Sequence, residues 1–269
     1  IGTDATGNNK NGADYQGSMA DFLMLVIVDK TENTYSFLQF NRDTMTEVAL
    51  IDHNGEGEAT ANIQLCTAHW YGGNREQSCE NTVKSVKKLL GGIQIDGYYE
   101  LNMSEIPKLN SMVDGVTVTL EDDFSKKYPK MKKGATINLD DEQAYAYVHD
   151  RYGVGDEENT SRMKRQQQYM TGFFKKLQEK VKANPNYANE VFESLQDVST
   201  TDIAIGKISN ISNIFASGTD KGIFELAGKS KIGQALGDEM DHMEFYVNKK
   251  AMVSTMSELF GIVEQKNKE

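Results

Sequence analysis

At 269 residues, 38% hydrophobic and 26% charged, the chain carries enough apolar side chains for a sizeable core, with its charges spread along it, which excludes a disordered polypeptide. The formal net charge of −11 excludes a broad nucleic-acid footprint; an anionic ligand would need a local cluster of positive charge set against the global field. No apolar run approaches the roughly 20 residues that span a bilayer.

The opening "IGTDATGNNKNGADYQG" reads as a short strand end followed by a loop. Starting at Ile1 without a signal-like segment, the chain fits a truncated or mature product, with room for an N-terminal anchor upstream. "DFLMLVIVD" and "TYSFLQFN", joined by the polar "DKTEN", predict a hairpin whose first strand is apolar throughout and suits burial on both faces. A turn centred near Thr31 and Glu32 places Asp21 opposite Arg42 at the open end of that hairpin.

Cys66 and Cys79 lie 13 positions apart. Two thiols with His69 nearby are too few for a four-ligand zinc site, and the other histidines, His53, His149 and His242, are scattered. Two readings stay open: unrelated thiols, or a disulfide closing the short loop, which would imply an oxidising compartment.

"ENTVKSVKKLLGG" sets Val83, Val86, Leu89 and Leu90 on one helical face, with Gly91 ending the helix. "IQIDGYYELNMSEIPKLNSMVDGVTVTL" predicts a strand or turn, a helix around Met103 to Met112, a tight turn at Gly115 and a strand from Val116 to Leu120. "GATINLDDEQAYAYVHDR" gives a short strand and then a helix capped by Asp140 or Asp141. After the polar loop "YGVGDEENTS" comes a long amphipathic helix, "SRMKRQQQYMTGFFKKLQEKV", with Met163, Met170, Phe173, Phe174, Leu177 and Val181 on its buried side. Two further helical stretches follow Asn184, then a strand, "MEFYVN", and a last helix, "KAMVSTMSELFGIV". With no repeat, low-complexity tract or linker, the economical reading is one mixed α/β domain over residues 1–269.

The chemistry concentrates at two places. "QFNRDTMTEV" puts Arg42 beside Asp43 at a strand end, facing Asp21. At the start of the long helix, which Thr160 or Ser161 can cap, Arg162, Arg165 and Gln166 follow at i, i+3 and i+4 and share a face, with Arg151 just before the loop. Arginines in a first helical turn oppose the helix dipole by about 0.3–1 kcal/mol, and a bound anion would compensate. Taken alone, this second cluster reads as a solvated basic patch balanced by Asp156, Glu157 and Glu158. Joined to Asp21 and Arg42, it has the makings of a metal–pyrophosphate site, since guanidinium forks grip phosphate oxygens and a carboxylate holds Mg²⁺.

The ordered set "IGTD", "GSMADFLMLVIVD", "FNRDT", "ANIQLCTAHWYGG", "GIQIDGYYELN", "MVDGVTV" and "AYAYVHDR…SRMKRQQQYM" resembles the LytR-CpsA-Psr (LCP) domain over about residues 1 to 180, and the segment from 185 to 269 completes the fold. The resemblance implies an α-β-α sandwich around a mixed, mainly antiparallel central sheet with an apolar pocket. It implies a membrane-anchored, extracytoplasmic phosphotransferase of cell wall biogenesis on the surface of a Gram-positive bacterium. Such an enzyme moves a glycopolymer from a polyprenyl pyrophosphate carrier to peptidoglycan, using magnesium or manganese, with pyrophosphate hydrolysis as a side activity. Carried onto this chain, Asp21, Arg42 and Asp43 are the catalytic residues, Asp21 also holding the metal. Arg42, Arg151, Arg162, Arg165 and Gln166 grip the diphosphate. Phe22, Phe37, Met163, Met170 and Phe173 line the lipid pocket. The second metal carboxylate falls to Asp14, with Asn9 as its neighbour in the same loop.

Four positions depart from the family pattern: Met19 and His149 stand where arginines are usual, Thr46 where a base is common, and Asn159 where an aspartate commonly precedes the helix. A site with less positive charge would grip diphosphate more weakly or take an altered ligand. The alternative is therefore an impaired LCP-like module that binds a polyprenyl phosphate lipid or a cell-wall partner without turnover.

Overall fold

Leu23 pairs with Phe40 and Asp29 with Thr34 in the antiparallel ladder between β2 (Ala20–Asp29) and β3 (Thr34–Phe40), so the turn centres between Thr31 and Glu32 as the sequence predicts. Asp29 Oδ1 accepts hydrogen bonds from the backbone of both turn residues, at 2.8 and 3.0 Å, and Asn33 closes the turn with a positive φ of 49°. The computed structural model describes residues 1–4, 15, 17–57 and 59–261.

This hairpin is the centre of a six-stranded mixed sheet. β1 (Gly2–Thr3) runs antiparallel to β2, and β6 (Tyr99–Asn102) runs parallel to β1. Residues beyond the family-like motifs supply both edges: β9 (Ser199–Thr201) pairs antiparallel with β6, and β10 (Thr219–Glu225) pairs parallel with β3. Among the described residues there are three further, two-stranded sheets: β4 (Met45–Ala49) with β5 (Thr60–Gln64), β7 (Val116–Thr119) with β8 (Thr136–Leu139), and β11 (Gly228–Gly233) with β12 (His242–Val247).

The helices follow from capping and from apolar stripes. α1 (Arg75–Leu89) begins five residues earlier than its periodicity suggests, because Asn74 caps it by accepting from the Gln77 amide at 2.8 Å. α2 (Ile106–Met112) follows a short 3₁₀ turn and ends in the predicted turn, with Asp114 and Gly115 both at positive φ, 58° and 80°. α3 (Asp141–His149) carries a capping box between Asp140 and Gln143. α4 (Asn159–Ala183) starts one residue before Thr160 and two before Ser161, the expected caps, and Ser161 Oγ donates instead to Asp156 at 2.8 Å. α5 (Tyr187–Ser194), α6 (Ile205–Ser217) and α7 (Lys249–Phe260) complete the set.

Strand alternation sorts the core into two layers. Leu23, Leu38 and Phe40 pack with Val86 and Leu90 of the α1 end and Met256 of α7. Phe37, one residue off that register, turns to the other face and stacks on Phe174 of α4 at 4.2 Å between ring centroids. The second cluster builds on Tyr169 and Phe173 of α4 with Tyr147 and Val148 of α3 and Val116 and Val118 of β7. Among the described residues no helix is long and apolar enough to cross a membrane.

Candidate functional site

Two positions past the last ladder pair, the register sets Arg42 opposite Asp21, and Arg42 Nη1 donates to Asp21 Oδ1. The same oxygen accepts from Arg162 Nη2 at 3.1 Å. Arg162 reaches it from the first turn of α4, braced by Asn159 Oδ1 at 2.9 Å, while Asn159 Nδ2 donates to Asn41 Oδ1 at 3.1 Å. One carboxylate oxygen therefore joins the hairpin mouth to the helix entrance, and the two basic clusters read separately in the sequence converge.

Arg42 has further neighbours. Its Nη2 lies 3.0 Å from Met19 Sδ and 3.2 Å from Cys66 Sγ, and its Nε is 3.7 Å from Asp43 Oδ1. Among the described residues the buried Nε groups of Arg42 and Arg162 have no hydrogen-bond partner, an uncommon state for buried donors and one that an acceptor-rich ligand would relieve. Burial raises the Asp43 carboxyl pKa from its ordinary value, against the pull of Arg42, Arg162 and Arg151. Burial likewise pushes the Cys66 thiol up despite the adjoining guanidinium, so it sits there as neutral S–H rather than thiolate. A cleft of about 370 Å³ opens here, lined by Met19, Arg42, Asp43 and Cys66 from the hairpin side and by Arg151, Tyr152 and Asn159 from the loop before α4 and its first residue.

The LytR_cpsA_psr family model matches residues 1–260. The chain belongs to that family. Solved structures share the fold: the Streptococcus agalactiae protein gbs0355 superposes with a TM-score of 0.74 at 20% identity, over 96% of this chain and 84% of its own. TagT bound to LI-WTA gives 0.69 at 20% identity, over 97% and 87%. TagV of B. subtilis gives 0.68 at 20% identity, over 98% and 95%. No curated protein matches the chain by sequence.

Set against the LCP motifs, Asp21, Arg42, Asp43, Arg151 and Arg162 come together, whereas Arg165 and Gln166 do not. Arg165, 1% exposed, turns inward, donating to Asp122 Oδ2 at 2.9 Å and to the Asp150 carbonyl, with its guanidinium over the Phe124 ring. Gln166 is spent on a buried amide ladder, accepting from Gln39 and donating to the Val148 carbonyl, each at 3.1 Å. Both hold α4 against its neighbours and neither lines the cleft, so the structure sets them apart from Arg42 and Arg151, with which they were expected to grip the diphosphate. Arg151, half-buried, stacks on Tyr152 at 4.6 Å.

The five residues expected to line a lipid pocket are packed instead against protein, and none lines the cleft. Phe37 stacks on Phe174, Phe173 and Met170 join the α4 core, Met163 is buried, and Phe22 is half-buried beside Gly2. Cys66 and Cys79 are free buried thiols with separate partners, since Cys66 meets Arg42 and Cys79 Sγ lies 3.7 Å from His69 Nε2, so the loop-closing disulfide is not formed.

For a metal, Asp14 and Asn9 fall outside the described residues, and among the described ones no group of three His, Cys, Asp or Glu side chains is arranged to hold an ion. Asp21 and Asp43 remain. Two carboxylates suit Mg²⁺ where a substrate's phosphates bring further oxygens, so the donor set fits an ion that arrives with its anion rather than a prebuilt metal cage.

At the positions where the family usually has arginine, Met19 places a sulfur on Arg42, and His149 bridges Asp150 Oδ1 at 3.2 Å and Asp4 Oδ2 at 3.0 Å while stacking on Tyr145. Its hydrogen bond to Asp150 raises the His149 pKa, reinforced by Asp4. A raised folded-state value means that the stabilisation is complete below the ordinary imidazole pKa and is lost as pH rises through the folded one. His149→Ala should therefore cost more stability at about pH 5.5 than at about pH 9 in chemical denaturation. A cost that does not change with pH would remove the charged pairing.

The sequence reading missed the third wall of the cleft, made by Leu236, Asp241, His242 and Met243. Phe245 N donates to the Asp43 carbonyl at 2.7 Å and Gln64 Nε2 to the Met243 carbonyl at 3.2 Å, which pins β12 beside the site. These residues sit in a loop and at a strand start, where no apolar period announces them.

Proposed function

We propose that this protein is an LCP-type transferase of cell-wall assembly that moves a glycopolymer from a polyprenyl pyrophosphate carrier to a hydroxyl of peptidoglycan. The observation that carries the reading is Asp21 Oδ1 shared by Arg42 and Arg162, each with an Nε that has no hydrogen-bond partner among the described residues, beside a cleft that Arg42 and Asp43 line. Membership of the LCP family and the fold shared with TagT bound to LI-WTA support it.

In this reading Arg42 and Arg151 receive the diphosphate in the cleft, and Arg162 supports Arg42 from behind through Asp21. The acceptor oxygen attacks the phosphorus next to the donor sugar, the bridging P–O bond breaks, and its electron pair leaves with the polyprenyl phosphate. Asp43 takes the hydroxyl proton; its raised pKa brings it nearer the proton affinity a general base needs. Magnesium, when bound through Asp21, supplies further neutralisation of phosphate charge.

The test is to incubate the protein with a polyprenyl-diphosphate-linked saccharide, Mg²⁺ and a peptidoglycan acceptor, and to follow release of polyprenyl phosphate. The rate should rise with pH as Asp43 ionises, above that group's ordinary value, and Asp43→Asn should lose that limb together with about 10²–10⁴-fold of the rate. A pH profile shared by Asp43→Asn and the wild type would take the base role away from Asp43. Binding without turnover in the wild type would favour the second reading, a lipid-holding module, which the Met19 contact with Arg42 supports by occupying space where the motif has an arginine.

A further inference from the structure

Residues 120–135, which join β7 to β8, hold five lysines against three carboxylates, on a chain whose formal net charge is −11. Lys126, Lys127, Lys130, Lys132 and Lys133 are all exposed. Lys127 Nζ donates to Asp150 Oδ2 at 3.2 Å, while the other four make no salt bridge among the described residues. Of the carboxylates, Asp122 is paired with Arg165, and Asp123 accepts from the Ser125 amide at 2.7 Å. Ammonium groups gathered this closely repel one another, so the loop must be held in shape from inside. Phe124 and Met131, 3% and 0% exposed, sink into the α4 core, and Phe124 N donates to the Met131 carbonyl at 2.9 Å. The lysines therefore stand on a fixed platform.

That platform adjoins the Arg151 rim of the cleft. Arg165 donates to both Asp122 and the Asp150 carbonyl, and a Cβ added at Gly155 would lie 2.6 Å from Asp122 Oδ1, so the two loops pack tightly. On the same rim Tyr152 is 77% exposed, its ring against Arg151. Glu157 and Glu158 line the cleft itself, which bounds the basic surface there.

From these observations we propose that the lysine-bearing loop and Tyr152 form a docking surface for a bilayer carrying anionic phospholipid head groups. None of the five lysines lines the cleft, and separate ammonium groups on flexible stems read charge density rather than the shape of one ligand. A plane of anionic head groups offers that density, and an exposed tyrosine suits the boundary between head groups and acyl chains. The charge and its rigid mounting carry the inference, which does not depend on transfer in the cleft. Joined to the transferase reading, docking sets the Arg151 rim against the surface from which a lipid-linked substrate arrives.

The experiment is flotation of the whole chain with vesicles of phosphatidylcholine alone and of phosphatidylcholine mixed in equal parts with phosphatidylglycerol. Binding to the mixed vesicles should be at least tenfold tighter and should weaken as salt is raised. The triple variant Lys126→Gln, Lys130→Gln, Lys133→Gln should lose on the order of 100-fold, about fivefold per lysine. A control triple variant, Lys229→Gln, Lys249→Gln, Lys250→Gln, makes the same change in net charge at exposed positions on β11 and α7 and should bind as the wild type does. Tyr152→Ala should weaken the mixed vesicles several-fold. Equal affinity for the two vesicles, wild-type affinity in the loop variant, or an equal loss in the control would each overturn the docking surface. Capture of soluble polyphosphate through the loop lysines, with no binding to either vesicle, would also overturn it and assign the loop to a polyanion. The loop variant should still turn over a water-soluble, short-chain diphosphate substrate at the wild-type rate. Vesicle binding in a wild type that turns over no such substrate would uphold the docking surface and overturn the transferase reading alone.

Discussion

Arg42→Ala is expected to lower the single-turnover transfer rate by about 10²–10³-fold, the usual loss when one donor aimed at developing oxyanion charge is removed. The geometry explains the size. Among the described residues Arg42 is the one guanidinium that both lines the cleft and touches Asp21, and its Nε has no hydrogen-bond partner there, so it can meet a phosphate oxygen without first breaking a hydrogen bond at that atom. Arg42→Lys should recover little, because an ammonium keeps the charge but not the planar fork that spans two oxygens. Since Arg162 still holds Asp21 after the change, at 3.1 Å, melting should shift far less than turnover. Full activity in Arg42→Ala would remove the arginine from the reaction altogether.

Arg165→Ala should do the reverse. Its guanidinium is buried, paired with Asp122 at 2.9 Å and bonded to the Asp150 carbonyl, so truncation leaves a carboxylate and a carbonyl without their donor. Breaking a buried pair from one side costs about 3–5 kcal/mol, which lowers the melting temperature by on the order of 10 °C for a chain of this size. The double variant Arg165→Met with Asp122→Leu should regain most of that loss, because it removes the unpaired carboxylate along with the cation. Purified Arg165→Ala, kept below its melting temperature, should still bind pyrophosphate. Unchanged melting with lost pyrophosphate affinity would return Arg165 to the ligand.

These two arginines mark where the sequence was legible. Short-range rules sufficed for the hairpin, whose polar loop and apolar strands fix one turn centre and therefore the Asp21–Arg42 pairing. They also sufficed for α3, where Asp140 and Gln143 announce their own cap. For α4 the same rules placed Arg162, Arg165 and Gln166 on one face, but a face is broader than a target. Side chains three apart diverge by about 60° around the axis, and a long guanidinium turns that divergence into different destinations. Arg162 enters the hairpin mouth, whereas Arg165 reaches Asp122 on the far side of the loop before α4. The edge strands β9 and β10 were illegible for another reason. One is three residues long, and the other, "TDKGIFE", is mostly polar and interrupted by Gly222 at a φ of 91°, so neither shows the alternation that betrays a strand.

The doubly shared oxygen of Asp21 has a thermodynamic corollary. An incoming anion that draws either guanidinium toward itself leaves that carboxylate short of counter-charge, and a cation is what makes up the shortfall. If the proposed transferase binds diphosphate and magnesium here, the two ligands of opposite sign should reinforce one another, and by reciprocity the factor by which diphosphate tightens magnesium should equal the factor by which magnesium tightens diphosphate. Without either, Asp21 offsets one of the two guanidinium charges and Asp43, 3.7 Å from Arg42 Nε, faces the other, which lets the site hold two arginines side by side at rest.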